Sequence, residues 1–200
     1  MLALVAVIYG VRATAHRQAL TLAPRLFGPL LPQPCEPQPA PHLIESWPQP
    51  AVPVPANGKS CLVELAAIPT FTSPFRWRVV AHLTNGYELH EVDVLDQRLQ
   101  AAPAPGEALW RRAVRYPNQW TPATFAAAAT HTGQVYLGFS RYPAARSYVD
   151  PSGTATVRWA DMRFAAGMLT FSGDRLSGDR LTAFVRIGSD GHILEEGISQ

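Results

Sequence analysis

Lysine is almost missing: Lys59 is the only one among 17 basic residues, and arginine supplies the rest. Charged residues make up 16% of the 200-residue chain. That is low for a free-standing soluble protein, so part of the surface is expected to lie against membrane, a partner or more chain. A net charge of +2 is too small to set up the field that a nucleic-acid partner calls for. Cysteine stops at two, Cys35 and Cys61, which excludes a multi-bridge scaffold and leaves room for one bridge, in an oxidising compartment only. No Cys/His spacing suits structural zinc. Gly-x-Ser-x-Gly, Gly-x-Gly-x-x-Gly, the P-loop and His-Glu-x-x-His are all missing, so the acyl-transfer, dinucleotide, nucleotide and zincin templates find no support.

What is there begins with an apolar run, Met1 to Val11, followed by Arg12, His16 and Arg17. The run is about half of the roughly 20 residues that a spanning helix needs. Residues 1–23 are therefore read as the last turns of a transmembrane helix, or else as an amphipathic helix lying on the body of the protein. Pro24 is expected to end it, and the basic residues after the run favour the cytoplasmic side. Eleven of the 19 prolines fall between Pro24 and Pro55, which makes 24–58 an extended Pro-rich linker, with Trp47 in an HLIESW island.

Residues 59–200 are expected to form one α+β domain: a mostly antiparallel sheet of about six strands with one or two short helices. RWRVVAHLTNGYELHEVDVL reads as a hairpin around Asn85-Gly86, a pair suited to a type I′ turn. That turn would set Val79 opposite Val92 and Trp77 opposite Val94. Glu107 to Arg115 suggests a short helix, and TPATFAAAATHTG a better one, with Thr121 as N-cap, Pro122 in the first turn and Gly133 past the end. QVYLGFSRYP and TATVRWADMRF read as strands, and LTAFVRI and HILEE as a second hairpin across Ser189-Asp190-Gly191. The tandem SGDRL pair at 172–181 reads as a lengthened turn.

Few residues suggest chemistry. His82 and His90 lie on paired strands, but the alternation of side chains puts them on opposite sides of the ribbon. Glu88, Asp93 and Asp96 read as the solvated edge of the hairpin. Arg111, Arg112 and Arg115 beside Trp110 and Tyr116 would suit a headgroup interface, or be an ordinary exposed face. Val157, Trp159, Asp161 and Arg163 would share one strand face. Trp159, Asp161 and Arg163, with Phe139, Ser140, Arg141 and Trp77, are the candidate framework or binding cluster, in which Asp161 holds Arg163 and, by extension, Arg141. No residue is assigned a catalytic or metal-ligating role.

The order of several segments resembles the C-terminal region of the bacterial inner-membrane, SOS-associated metal-dependent hydrolase family. The matching pieces are Pro69, Thr70, Pro74, Trp77, Val79 and Val80, then Phe139 to Pro143, then Asp161, Arg163 and Phe164, within Ala66 to Ile193. The resemblance implies a soluble domain that follows the last membrane helix at the bacterial inner membrane. That family's metal-binding His and Asp motifs lie in a membrane region that precedes this domain and is not in this sequence, so a divalent metal would belong there. The implied role is an extramembrane accessory domain of a membrane-bound hydrolase-like protein. Its partners would be the membrane and that preceding region or another protein. The alternative is a non-enzymatic, membrane-anchored protein-interaction domain.

Overall fold

The computed structural model describes residues 2–28, 31–35, 60–70, 73–100, 113–164 and 181–199. The HLIESW island, the SGDRL pair, Trp110, Arg111, Arg112 and most of the Pro-rich segment lie outside them. The α+β expectation stands at the level of class, but among the described residues eight strands form two four-stranded sheets instead of one sheet of six. The described residues fall into two compact units, one drawn from Met1–Cys35 and Pro55–Arg115 and the other from Tyr116–Gln200.

In the first unit, helix α1 (Leu2–Thr21) is followed at once by α2 (Ala23–Phe27). Pro24 therefore opens a helix where it was expected only to close one. A proline in the first turn costs nothing, because its missing N–H would have had no partner there. Ala15, Ala19, Leu22, Ala23, Leu26 and Phe27 are buried at helical spacing. They join Trp77, Val79, Ala81, Leu83, Val92 and Val94 in one core. Fully burying Leu26 and Phe27 contributes roughly 1.5–3 kcal/mol each. The start of the expected linker is thus core, and no helix among the described residues is long and apolar enough to cross a membrane.

The sheet of this unit runs in the order β1 (Leu62–Pro69), β2 (Arg76–Leu83), β3 (Gly86–Asp93), β4 (Val114–Pro117), with the short helix α3 (Gln97–Gln100) between β3 and β4 in the chain. Val114 and Arg115 are therefore in a strand, not in the short helix expected over 107–115. The β2–β3 hairpin forms, but its register differs by two residues from the expected one. Trp77 faces Val92, Val79 faces His90 and Leu83 faces Gly86, so Thr84 and Asn85 make the turn. Neither Asn85 nor Gly86 is among the residues with positive φ, which a type I′ turn demands. The turn is held instead by the residues before β1. The Cys61 carbonyl accepts from the Thr84 N–H at 3.1 Å, the Cys61 N–H donates to the Thr84 hydroxyl at 3.3 Å, and the Ser60 hydroxyl donates to Asn85 Oδ1 at 2.9 Å. Cys61 is also joined by a disulfide to Cys35, 26 residues away. Closing a loop of that length is worth about 3.5 kcal/mol by chain-entropy accounting.

In the second unit the strands follow one another as a meander: β5 (Pro143–Val149), β6 (Ala155–Asp161), β7 (Thr182–Ile187), β8 (Ile193–Ser199), each antiparallel to the next. The expected second hairpin is β7–β8, with Gly191 at φ +83° in its turn. Trp159 sits between Ala145 on β5 and Ala183 on β7, two small neighbours that leave room for the indole. Helices α4 (Pro122–Ala128) and α5 (His131–Phe139) supply Ala127, Tyr136 and Leu137 to the core with Val157, Trp159 and Val185. Thr121 caps α4 as expected, its hydroxyl accepting from the Thr124 N–H at 3.3 Å.

The segment expected as a strand, QVYLGF, is helical. Thr130 caps α5 by accepting from the Gly133 N–H at 3.2 Å, so Gly133 is inside this helix and does not end the previous one. Its role is steric. A Cβ there would lie 2.2 Å from the Ala127 carbonyl oxygen and 2.8 Å from Ala128 Cα, so glycine is what lets the two helices fold into an elbow. Helix propensity alone favours Gly133→Ala by about 1 kcal/mol. The elbow reverses the sign: the variant is expected to lose about 2 kcal/mol, because backbone must shift. Chemical denaturation measures it, and a gain in stability would contradict the elbow.

Candidate functional site

The stretch that carries the candidate cluster ends sooner than alternation suggests. Strand β6 stops at Asp161, and a turn follows in which the Phe164 N–H donates to the Asp161 carbonyl at 2.9 Å. Arg163 is therefore not on the strand face; it folds back over Asp161 from the turn. Its Nε and Nη2 donate to Asp161 Oδ2 at 2.9 and 2.7 Å, and its backbone N–H donates to Oδ1 at 2.9 Å. The Ser140 hydroxyl donates to Oδ2 at 2.8 Å and the Arg141 backbone N–H at 3.2 Å. Arg163 Nη2 also reaches the Phe139 carbonyl at 3.0 Å. Asp161 is 1% exposed.

Phe139, Ser140, Arg141, Asp161 and Arg163 thus come together around one carboxylate. Arg141 takes part through its main chain, and its guanidinium lies 5.5 Å from the centre of the Tyr142 ring. Trp159 belongs to the same strand, with Tyr136 stacked 6.5 Å away. Among the described residues its Nε1 has no hydrogen-bond acceptor. Trp77 is in the first unit, where its Nε1 donates to the Pro74 carbonyl at 3.0 Å and its ring lies 5.3 Å from that of His16.

A carboxylate offers about four lone-pair sites, and Asp161 accepts from five donors. Four of the five converge on Oδ2, and Oδ1 takes only the Arg163 main-chain N–H. What it does is join the end of α5, the start of β5, which faces it through Pro143, and the turn after β6. Chemically it is a clamp. Among the described residues, no three His, Cys, Asp or Glu side chains lie together as a metal would require.

The other candidates, His82, His90 and Glu88, lie on the first sheet. His82 and His90 are on opposite sides, as alternation requires. His82 faces Tyr87 across the strands, with the rings stacked 4.5 Å apart. His90 lies opposite Val79 and hydrogen-bonds through Nδ1 with the Glu91 carbonyl oxygen at 2.9 Å. Burial pushes the His82 imidazole down to about 4, partly opposed by nearby Glu64. Glu88 corrects the expected solvated edge: it is buried on the core face opposite Ala81. Burial raises its carboxyl above the ordinary range, against the pull of Arg115, whose Nε lies 3.8 Å away. The same alternation that groups Val92 and Val94 with Trp77 includes residue 88, and that was the signal for its burial. Asp93 and Asp96 do lie at the hairpin end; Asp93 pairs with Arg76 at 3.6 Å and Asp96 accepts from the Arg98 N–H at 2.9 Å.

Comparison with protein-family models, with curated proteins and with solved structures finds no match.

Asp161→Asn keeps the shape of the clamp but turns an NH2 group against its donors. Unfolding measurements should show a loss of about 3 kcal/mol, as for a buried pair stripped of one partner. Arg163→Lys keeps the charge without the planar fork and should lose about 1 kcal/mol; an Asp161→Asn variant as stable as the parent would sink the clamp. His82 supplies a pH test. The unfolded chain holds a proton on it up to about pH 6.5, and the folded chain only to about 4. Its contribution is therefore complete above 6.5 and lost as pH falls towards 4. Melting temperature should rise across that window, and His82→Phe should flatten the rise.

Proposed function

We propose that this chain works at a membrane surface, as the extramembrane domain of a membrane-bound, hydrolase-like protein. It contributes positioning and binding, and the chemistry belongs to a membrane region outside this sequence. The observation that carries this reading is the division of α1. Its second half is in the core, while Leu4, Val7, Ile8 and Tyr9 are 65%, 61%, 50% and 71% exposed. Leu2 to Val11 carry no charge on any side, and Arg12 and Arg17 follow, both exposed. A helix that is apolar all round belongs in a protein core or a bilayer, and these residues have no core around them. Their length is about 15 Å, about one leaflet of the hydrocarbon layer. Two arginines at the boundary suit lipid phosphates.

The burial of Asp161 under five donors and the ordered resemblance to the inner-membrane hydrolase family support an accessory role over a catalytic one. A divalent metal, on this reading, is held by the membrane region. The second reading, a non-enzymatic membrane-anchored interaction domain, is favoured by β8. It ends the order of its sheet, and Ile193, Leu194 and Ile198 on it are 44%, 57% and 39% exposed, which suits strand addition by a partner.

Vesicle flotation tests the membrane reading. The full chain should float with anionic vesicles, and a Leu4→Glu, Val7→Glu, Ile8→Glu variant should bind about tenfold more weakly or worse. Its melting temperature should stay unchanged, because those side chains touch no core. Equal flotation of the two proteins, or a parent chain that stays at the bottom of the gradient, would overturn the reading.

A further inference from the structure

The Cys35–Cys61 bridge, with its Cα atoms 5.0 Å apart, sits where three chain segments meet. Pro34 forms a parallel bridge with Leu62. The Cys35 N–H donates to the Leu62 carbonyl at 2.8 Å and the Leu62 N–H to the Gln33 carbonyl at 2.9 Å. On the other side, Cys61 holds the Thr84 turn through its carbonyl and its N–H. The covalent link therefore ties the segment that leaves α2 to the start of β1, and the Cys61 hydrogen bonds carry that tie on to the β2–β3 turn. These are the chain's only two cysteines, so the pair has no rival within the chain. Both are half-buried, not sealed in the core, and the hydrogen bonds between residues 33–35 and 62 bring the two sulfurs together.

We propose that Cys35 and Cys61 are a thiol-oxidation site used in an oxidising compartment outside the reducing cytoplasm, and that the oxidised pair holds the helical layer and the hairpin turn in register. The step is thiol–disulfide exchange with a disulfide-bearing oxidant. One cysteine thiolate attacks a sulfur of the oxidant and displaces the other as a thiolate, giving a mixed disulfide. The second cysteine thiolate then attacks the first cysteine's sulfur and releases the oxidant's remaining thiolate. The pair gives up two electrons and two protons, and the oxidant's disulfide becomes two thiols. Structural bridges of this kind are rare in the cytosol, where glutathione and thioredoxin keep thiols reduced. The compartment so assigned replaces the cytoplasmic side that Arg12, His16 and Arg17 suggest. It rests on the bridge alone and holds whether or not α1 enters a bilayer.

The test is thiol trapping of the full chain in intact cells. Acid-quenched cells are treated with a maleimide polymer, before and after reduction. The expected result is no mass shift without reductant and a two-adduct shift with it; a two-adduct shift without reductant would overturn the compartment. Dithiothreitol added to the purified chain should lower its melting temperature by roughly 10 °C and speed amide exchange at Leu62 and Thr84. Unmoved melting and exchange would overturn the register role. A Cys35→Ser, Cys61→Ser variant should melt like the reduced parent and ignore dithiothreitol; if it does not fold, the reductant titration of the parent reads the same quantity. Failed flotation leaves the trapping result standing, and failed trapping leaves flotation standing.

Discussion

A carboxylate without solvent contact must be matched donor by donor, and in the second unit that requirement organises one whole end of the sheet. Asp161 takes hydrogen bonds from Ser140, the Arg141 main chain and three donors of Arg163. Each donor comes from a segment that would otherwise be a free loop end. Ser140 caps α5, with its own N–H on the Tyr136 carbonyl at 3.0 Å, and Tyr136 and Trp159 carry the packing from there into the core. The arrangement suits a structural role, since a guanidinium that holds its carboxylate through two nitrogens has little freedom to move.

The first unit solves the same problem of fixing chain ends by a covalent route. The residues before β1 grip the β2–β3 turn, and the disulfide ties them to the segment after α2. The helical layer and the sheet are therefore coupled at a point outside the apolar core. Above that point α1 changes character along its length, from small residues that allow close packing at Ala15 and Ala19 to bulky apolar ones with nothing against them at Leu4 to Tyr9. A single helix thus joins a packed core to an exposed apolar surface, and the proposed positioning role rests on this continuity.

Much of the local structure was legible because local chemistry decides it. Thr121 followed by Pro122 announces a helix start, and Ser189-Asp190-Gly191 a tight turn between two β-rich runs. Alternation placed His82 and His90 on opposite faces despite a wrong register, since a two-residue slip leaves parity intact. Where reading failed, a distant partner had won. QVYLGF has the composition of a strand, yet Thr130 caps it as a helix and Gly133 fits against Ala127 and Ala128. Asn85-Gly86 suits a type I′ turn, yet Cys61 holds Thr84 and shifts the turn. Glu88 has the chemistry of a surface residue, yet its parity buries it.

The amino-acid sequence by itself determined the α+β class, the alternation of each strand, the start of α4, the apolar stretch that opens α1 and the scarcity of catalytic motifs. Each of these depends on neighbours within a few residues, through backbone sterics, capping or side-chain periodicity. Only the tertiary structure decided that the strands divide into two sheets, that α1 is half core and half exposed, that Cys35 meets Cys61 and that Asp161 is a buried clamp. Those outcomes depend on which distant groups satisfy a buried donor or acceptor, and no local pattern encodes that pairing.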